Sequence, residues 1–107
     1  MIPSIVYLHP ENTQPIEVQG LQDKISGSYL NGASVTATLL DDRGNPDPVL
    51  NNLPMAYLTD TNGNYLGIVP DTFSAALGSG YTLQITANQS GTQALWSIPA
   101  KVQLRNS

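Results

Sequence analysis

Apolar and polar residues alternate with a period of two along most of this chain, the spacing of half-buried β-strands. Val35, Ala37 and Leu39 alternate with Thr36 and Thr38. Tyr81, Leu83, Ile85 and Ala87 alternate with Thr82, Gln84 and Thr86. Trp96, Ile98, Ala100, Val102 and Leu104 alternate with Ser97, Lys101, Gln103 and Arg105. Each run predicts a strand with one packed face and one wet face, and the threonines favour extended backbone. Asn62-Gly63 predicts a hairpin between strands over 55–59 and 65–69. The stretch 88–91 predicts a second hairpin, between 81–87 and 93–104. Residues 5–8 and 16–19 are short apolar patches on either side of His9-Pro10-Glu11-Asn12, and they read as edge strands. Pro99 lies inside the last run, so that run must bend, bulge or lie at an edge there. Residues 71–77, with Asp71 as a candidate N-cap, predict one short helix, or else a loop, crossing an end of the fold. About seven short strands with frequent turns predict an all-β, immunoglobulin-like antiparallel β-sandwich, with residues 1–107 as a single domain.

Composition narrows the function. Charged residues make up only 11% of the chain, against about 25% in an average globular domain. The surface must therefore consist largely of Asn, Gln, Ser, Thr and Gly. That suits strands and a protein covered by neighbours. The net charge is −4, and the four basic residues, Lys24, Arg43, Lys101 and Arg105, are scattered. A nucleic-acid surface needs a basic stripe, so none is expected. No run of about 20 apolar residues is present, so no membrane-spanning helix is expected. The start, Met1-Ile2-Pro3-Ser4-Ile5-Val6, lacks the basic and long apolar parts of a signal peptide, which predicts a chain made inside the cell. The absence of cysteine excludes disulfides, thiolate metal sites and cysteine nucleophiles.

Catalytic constellations are poorly represented. His9 is the only histidine and stands in a turn-like segment before Pro10; a catalytic histidine needs an orienting acid and a nucleophile beside it. The carboxylates, Glu11, Glu17, Asp23, Asp41, Asp42, Asp47, Asp60 and Asp71, fall mostly in turn sequence, where Asp bonds local backbone. Asp60-Thr61-Asn62-Gly63-Asn64 begins like a calcium loop but lacks the later acidic ligand. The segment 41–47 is a second oxygen-rich turn of the same kind. Gly78-Ser79-Gly80 has no lysine or helix after it, so it is no phosphate loop, and Ser90-Gly91 has no nucleophile-elbow context. We therefore expect no enzyme activity, no cofactor and no metal. Tyr81, near the start of its strand, is placed to hydrogen-bond a corner, as tyrosines do in some sandwiches. Candidate partner contacts are Tyr29 and Leu30 in a turn-like stretch, and Pro48, Leu50 and Leu53 in the long 41–53 connection. Those loop residues either cap the core or meet a partner, and a Leu50→Asp change separates the two.

The pattern Val-Thr-Ala-Thr-Leu-Leu-Asp-Asp-Arg-Gly-Asn-Pro, then Thr-Asp-Thr-Asn-Gly-Asn-Tyr, then Gly-Ser-Gly-Tyr-Thr-Leu-Gln-Ile-Thr-Ala, resembles transthyretin-like sandwich domains. The whole chain, with Gly-Ala-Ser-Val-Thr-Ala-Thr-Leu-Leu-Asp, Leu-Pro-Met-Ala-Tyr and Trp-Ser-Ile-Pro-Ala-Lys-Val, resembles small structural proteins of tailed bacteriophages. The second resemblance implies a virion component made in the host cytoplasm. It implies a capsid decoration (cement) protein, or a neck, tail or fibre-associated protein. Its partners would be the major capsid protein or neck and tail proteins, with a homo-oligomer as a further option. The alternative class is an immunoglobulin-like accessory or carbohydrate-binding domain.

Overall fold

The computed structural model describes residues 5–23, 26–89 and 91–103. It is all-β, with seven strands in chain order: β1 (Val6–Leu8), β2 (Gln14–Val18), β3 (Ser34–Leu40), β4 (Leu53–Tyr57), β5 (Tyr65–Val69), β6 (Gly78–Gln89) and β7 (Thr92–Val102). The strands form one mixed sheet in the order β1-β7-β6-β3-β4-β5-β2. Every strand sends residues into the same core, from Val6 and Leu8 on β1 to Ile16 and Val18 on β2. The sheet thus wraps round on itself and is nearly a barrel, with β1 and β2 facing each other across a seam.

Both expected hairpins form. β4 and β5 pair as Ala56↔Leu66 and Tyr57↔Tyr65, and β6 and β7 pair from Gln89↔Thr92 onward. The two short patches are indeed the sheet edges. Pro99 is accommodated because β1 begins its pairing one residue later, at Val6↔Ala100. Pro54 is tolerated for a related reason: β4 turns the corner of the sheet. Its first half pairs with β3 (Leu53, Pro54, Met55) and its second half with β5 (Ala56, Tyr57), so each half has one strand neighbour in the ladder.

Two expectations are corrected. The sheet is not antiparallel throughout, because β1 runs parallel to β7. Parity requires this. An odd number of strands cannot alternate direction all the way round a ring. The seam strands β1 and β2 are joined by a short turn, so they must run oppositely, and the parallel pair falls elsewhere. The helix over 71–77 does not form either. Phe73 N–H donates to Pro70 O at 3.1 Å, closing a turn that drops the Phe73 ring into the core, fully buried. The Phe73 carbonyl, which a helix would give to residue 77, instead accepts from Glu11 N–H at 2.7 Å, and the Tyr81 hydroxyl, five residues on, donates to Ala76 O at 2.7 Å.

Among the described residues the core is apolar apart from the hydroxyl of Tyr65. That phenol, fully buried on β5, donates to Leu30 O and accepts from Ala33 N–H at 3.1 Å. Its ring lies 5.6 Å from that of Tyr57, tilted by 55°, a favourable aromatic geometry. The hairpin tip beside it is fixed by Gly63, which has φ 73°. A Cβ there would lie 2.5 Å from Leu21 O and 2.6 Å from Leu21 N. Gly63→Ala is therefore expected to destabilise by at least about 2 kcal/mol, through both backbone strain and the clash. Urea unfolding checks this; an unchanged midpoint would contradict it.

Candidate interaction face

The alternation of β1, β7, β6 and β3 turns one set of side chains outward in register. Thr36, Thr86 and Leu95 form one row across three strands, Thr38, Gln84 and Ser97 the next, and Leu40, Thr82 and Pro99 a third. Partners in register share a face. Tyr7 stands beside Lys101 on the outer strand pair. Ile5 at 40%, Tyr7 at 45% and Leu95 at 41% are the large apolar groups exposed on this side. A shallow hollow of about 360 Å3 lies at one end, walled by Ile5, Tyr81, Pro99 and Lys101. It sits over a β-bulge, where Ser79 and Gly80 together stand opposite Lys101 between the pairs Gly78↔Val102 and Tyr81↔Ala100.

None of these strand positions holds a carboxylate. Asp42 borders the end of the face, its Cβ 3.7 Å from the place a Cβ on Gly80 would take in the wall of the hollow. The other seven lie in other elements: Glu11 in the β1–β2 turn, Glu17 on β2, Asp23 after β2, Asp41 and Asp47 between β3 and β4, Asp60 in the β4–β5 hairpin, and Asp71 after β5. Lys101 is the one charge that the face bears among the described residues. A protein of net charge −4 thus keeps one broad surface nearly neutral.

The acidic turns are occupied by their own backbone. Asp41 Oδ1 accepts from Arg43 N–H and Asn45 N–H, both at 2.9 Å. These bonds hold its carboxyl below the ordinary value. Asp47 Oδ2 accepts from Val49 N–H at 2.9 Å and Leu50 N–H at 2.8 Å. No three His, Asp or Glu side chains converge among the described residues. His9 Nδ1 lies 3.1 Å from Gln103 O, a main-chain acceptor. The Asp60 turn serves the fold: Asp60 has φ 65°, and Asn64 Oδ1 accepts from Gly20 N–H at 3.0 Å.

The expected contact residues separate on burial. Tyr29 is 45% exposed on a small excursion closed by its bridge to Gln22, and Pro48 is exposed. Leu53 is half-buried at the start of β4. Leu30 is buried in the core, which corrects its placement as an exposed contact, and Leu50 is buried too, so that of the two roles open to it this loop residue takes that of capping the core. Asp47 causes the second burial: its carboxylate folds the loop back so that Leu50 O accepts from Leu39 N–H at 2.8 Å. Threonine, glutamine and serine on a wet strand face read in sequence as ordinary solvent-facing positions, and the absence of carboxylates among them is the one local signal that sets these strands apart. Lys24, Ser90, Leu104 and Arg105 lie outside the described residues. No helix among the described residues is long and apolar enough to cross a membrane. No protein-family model matches the sequence, and no curated protein matches it.

Leu50→Ala should cost about 2–5 kcal/mol of stability, the range for a fully buried leucine, while Tyr29→Ala should cost little; thermal unfolding of the two variants separates core from surface. Burial raises the Tyr65 phenol above its usual value of 10.0, and burial with nearby Asp41, Asp47 and Asp42 does the same for Tyr81. A raised acid binds its proton more tightly when folded. That stabilisation is fully present below the unfolded value and is lost as pH rises through the folded one. The urea midpoint should thus fall as pH rises past about 10, and Tyr81→Phe should flatten part of that fall.

Proposed function

We propose that this chain is a non-enzymatic structural protein of a tailed-phage virion, a capsid decoration (cement) protein. It binds other virion proteins, the major capsid protein foremost, through the outer face of β1, β7, β6 and β3. The observation that carries this reading is the broad sheet face, free of carboxylates along its strands, with Ile5, Tyr7 and Leu95 exposed on it. Depletion of charge with aromatic and aliphatic anchors is the composition of interface centres. A standard interface takes roughly 800 Å2 from each partner, and a molecule measuring 39 × 28 × 22 Å has a face large enough to supply it. The work is then done by contact area. That accords with a histidine bonded to a main-chain carbonyl and aspartates engaged in turns.

The immunoglobulin-like, transthyretin-like reading of the sandwich belongs to the same proposal. In strand order, β2-β5-β4 and β3-β6-β7 correspond to the two sheets of such a domain, with β1 added beside β7. Tyr81, near the start of β6, donates to a carbonyl five residues upstream, which is the tyrosine-corner arrangement. The location follows from the role: the virion, after synthesis in the host cytoplasm.

Mass spectrometry of purified particles tests the class. The polypeptide should be present in many copies; a few copies would favour a neck, tail or fibre position, and absence would overturn the proposal. Gln84→Glu and Ser97→Glu, each placing a carboxylate on the bare face, should leave the fold intact. Each should weaken particle binding at least about tenfold, read by co-sedimentation with particles that lack the protein. Unchanged binding by both would move the interface elsewhere.

A further inference from the structure

The seam between the two edge strands holds a feature that the binding face does not explain. Edge strands offer unpaired backbone groups that recruit other chains. On β1, Leu8 O faces inward along the sheet and accepts from Gln103 N–H at 3.0 Å. Strand alternation therefore turns Tyr7 O and His9 N–H to the open side. Both are taken by one side chain. Gln14 Nε2 donates to Tyr7 O at 2.6 Å, and His9 N–H donates to Gln14 Oε1 at 3.0 Å.

A primary amide bonded to the carbonyl of one residue and the N–H of the residue two further on does what a peptide group of a neighbouring strand does. Gln14 is also the first residue of β2, where its backbone pairs with Val69 on β5. One residue thus continues the sheet across the seam, by backbone on one side and by side chain on the other. The partner that this edge fits is an extended backbone, and the carboxamide occupies its place.

We propose that Gln14 is a clasp that withholds the β1 edge from strand pairing with a second copy of this chain. The sheet face is then left as the available surface. β1 carries no charged side chain, and its outward Tyr7 is apolar, so nothing else on the strand opposes edge-to-edge addition, which native edges commonly resist with charge or proline.

The test uses the full chain with Gln14→Val, which removes both bonds while retaining strand preference, and Gln14→Glu, which keeps an acceptor for His9 N–H and adds a charge to the edge. Hydrogen exchange at the His9 amide should quicken about tenfold or more in Gln14→Val. The same variant should show concentration-dependent association by sedimentation velocity beyond any that the unaltered protein shows, while Gln14→Glu should match the unaltered protein. Unchanged His9 exchange in Gln14→Val overturns the clasp. Faster exchange without added association overturns the withholding role, as does equal association by Gln14→Glu. If Gln14→Val loses the dispersed amide spectrum of the folded core, Gln14→Thr, with the same loss of reach, reads out both quantities.

Discussion

The fold depends most on one buried hydroxyl. Among the described residues the core is aliphatic and aromatic, and into it β5 places Tyr65 with no exposure at all. An unbonded hydroxyl there would cost several kcal/mol at worst. Its two partners, Leu30 O and Ala33 N–H, both lie in the connection from β2 to β3. That connection carries the chain from one edge of the sheet to its middle. The hydroxyl therefore fixes where the crossover lies. Gly63 fixes how closely it approaches the β4–β5 hairpin, with Leu21 N–H donating to Gly63 O at 2.9 Å.

With the crossover fixed, the location of charge follows. The interior excludes it, and the turns need side-chain acceptors for their backbone amides. Asp41 and Asp47 meet that need directly. Carboxylates drawn into the turns leave the strands to threonine, glutamine and serine. The neutral face on β1, β7, β6 and β3 is therefore partly a by-product of turn chemistry. What sets it apart from an ordinary wet face is that Ile5, Tyr7 and Leu95 stand exposed on it, where polar residues would serve solvation better.

Strand positions, both hairpins and the edge placement of β1 and β2 were legible because they are written locally, in period-two alternation and in Asn-Gly type turns. The helix misread over 71–77 came from judging Asp71 as a cap; what decided that segment was Phe73, which finds a vacancy in the core, and a long-range bond from Glu11. Such pairings leave no local trace. Leu50 was ambiguous for the same reason. An apolar residue in a long loop has the same sequence whether it caps a core or meets a partner, and only the Asp47 turn decides. The parallel β1–β7 pair was in principle deducible, since a closed ring with an odd strand count and a hairpin at its seam must contain one. That deduction requires knowing that the sheet closes, and closure is a property of the core as a whole.

Closure also links the two surfaces. A fully hydrogen-bonded barrel would have no edges to protect. This sheet stops short of that, because β1 is three residues long and meets β2 through a turn with Glu11 at φ 62°. The remaining gap is spanned by a side chain and not by a ladder. A side-chain bridge is reversible at the scale of one or two hydrogen bonds, about 1 kcal/mol each, whereas a backbone ladder is not. The molecule thus pairs a nearly neutral face with one edge held closed by a weak, local clasp. Under the proposed role, in which copies pack by their faces, strand addition at the edge would compete with that packing, and Gln14 would keep the two apart.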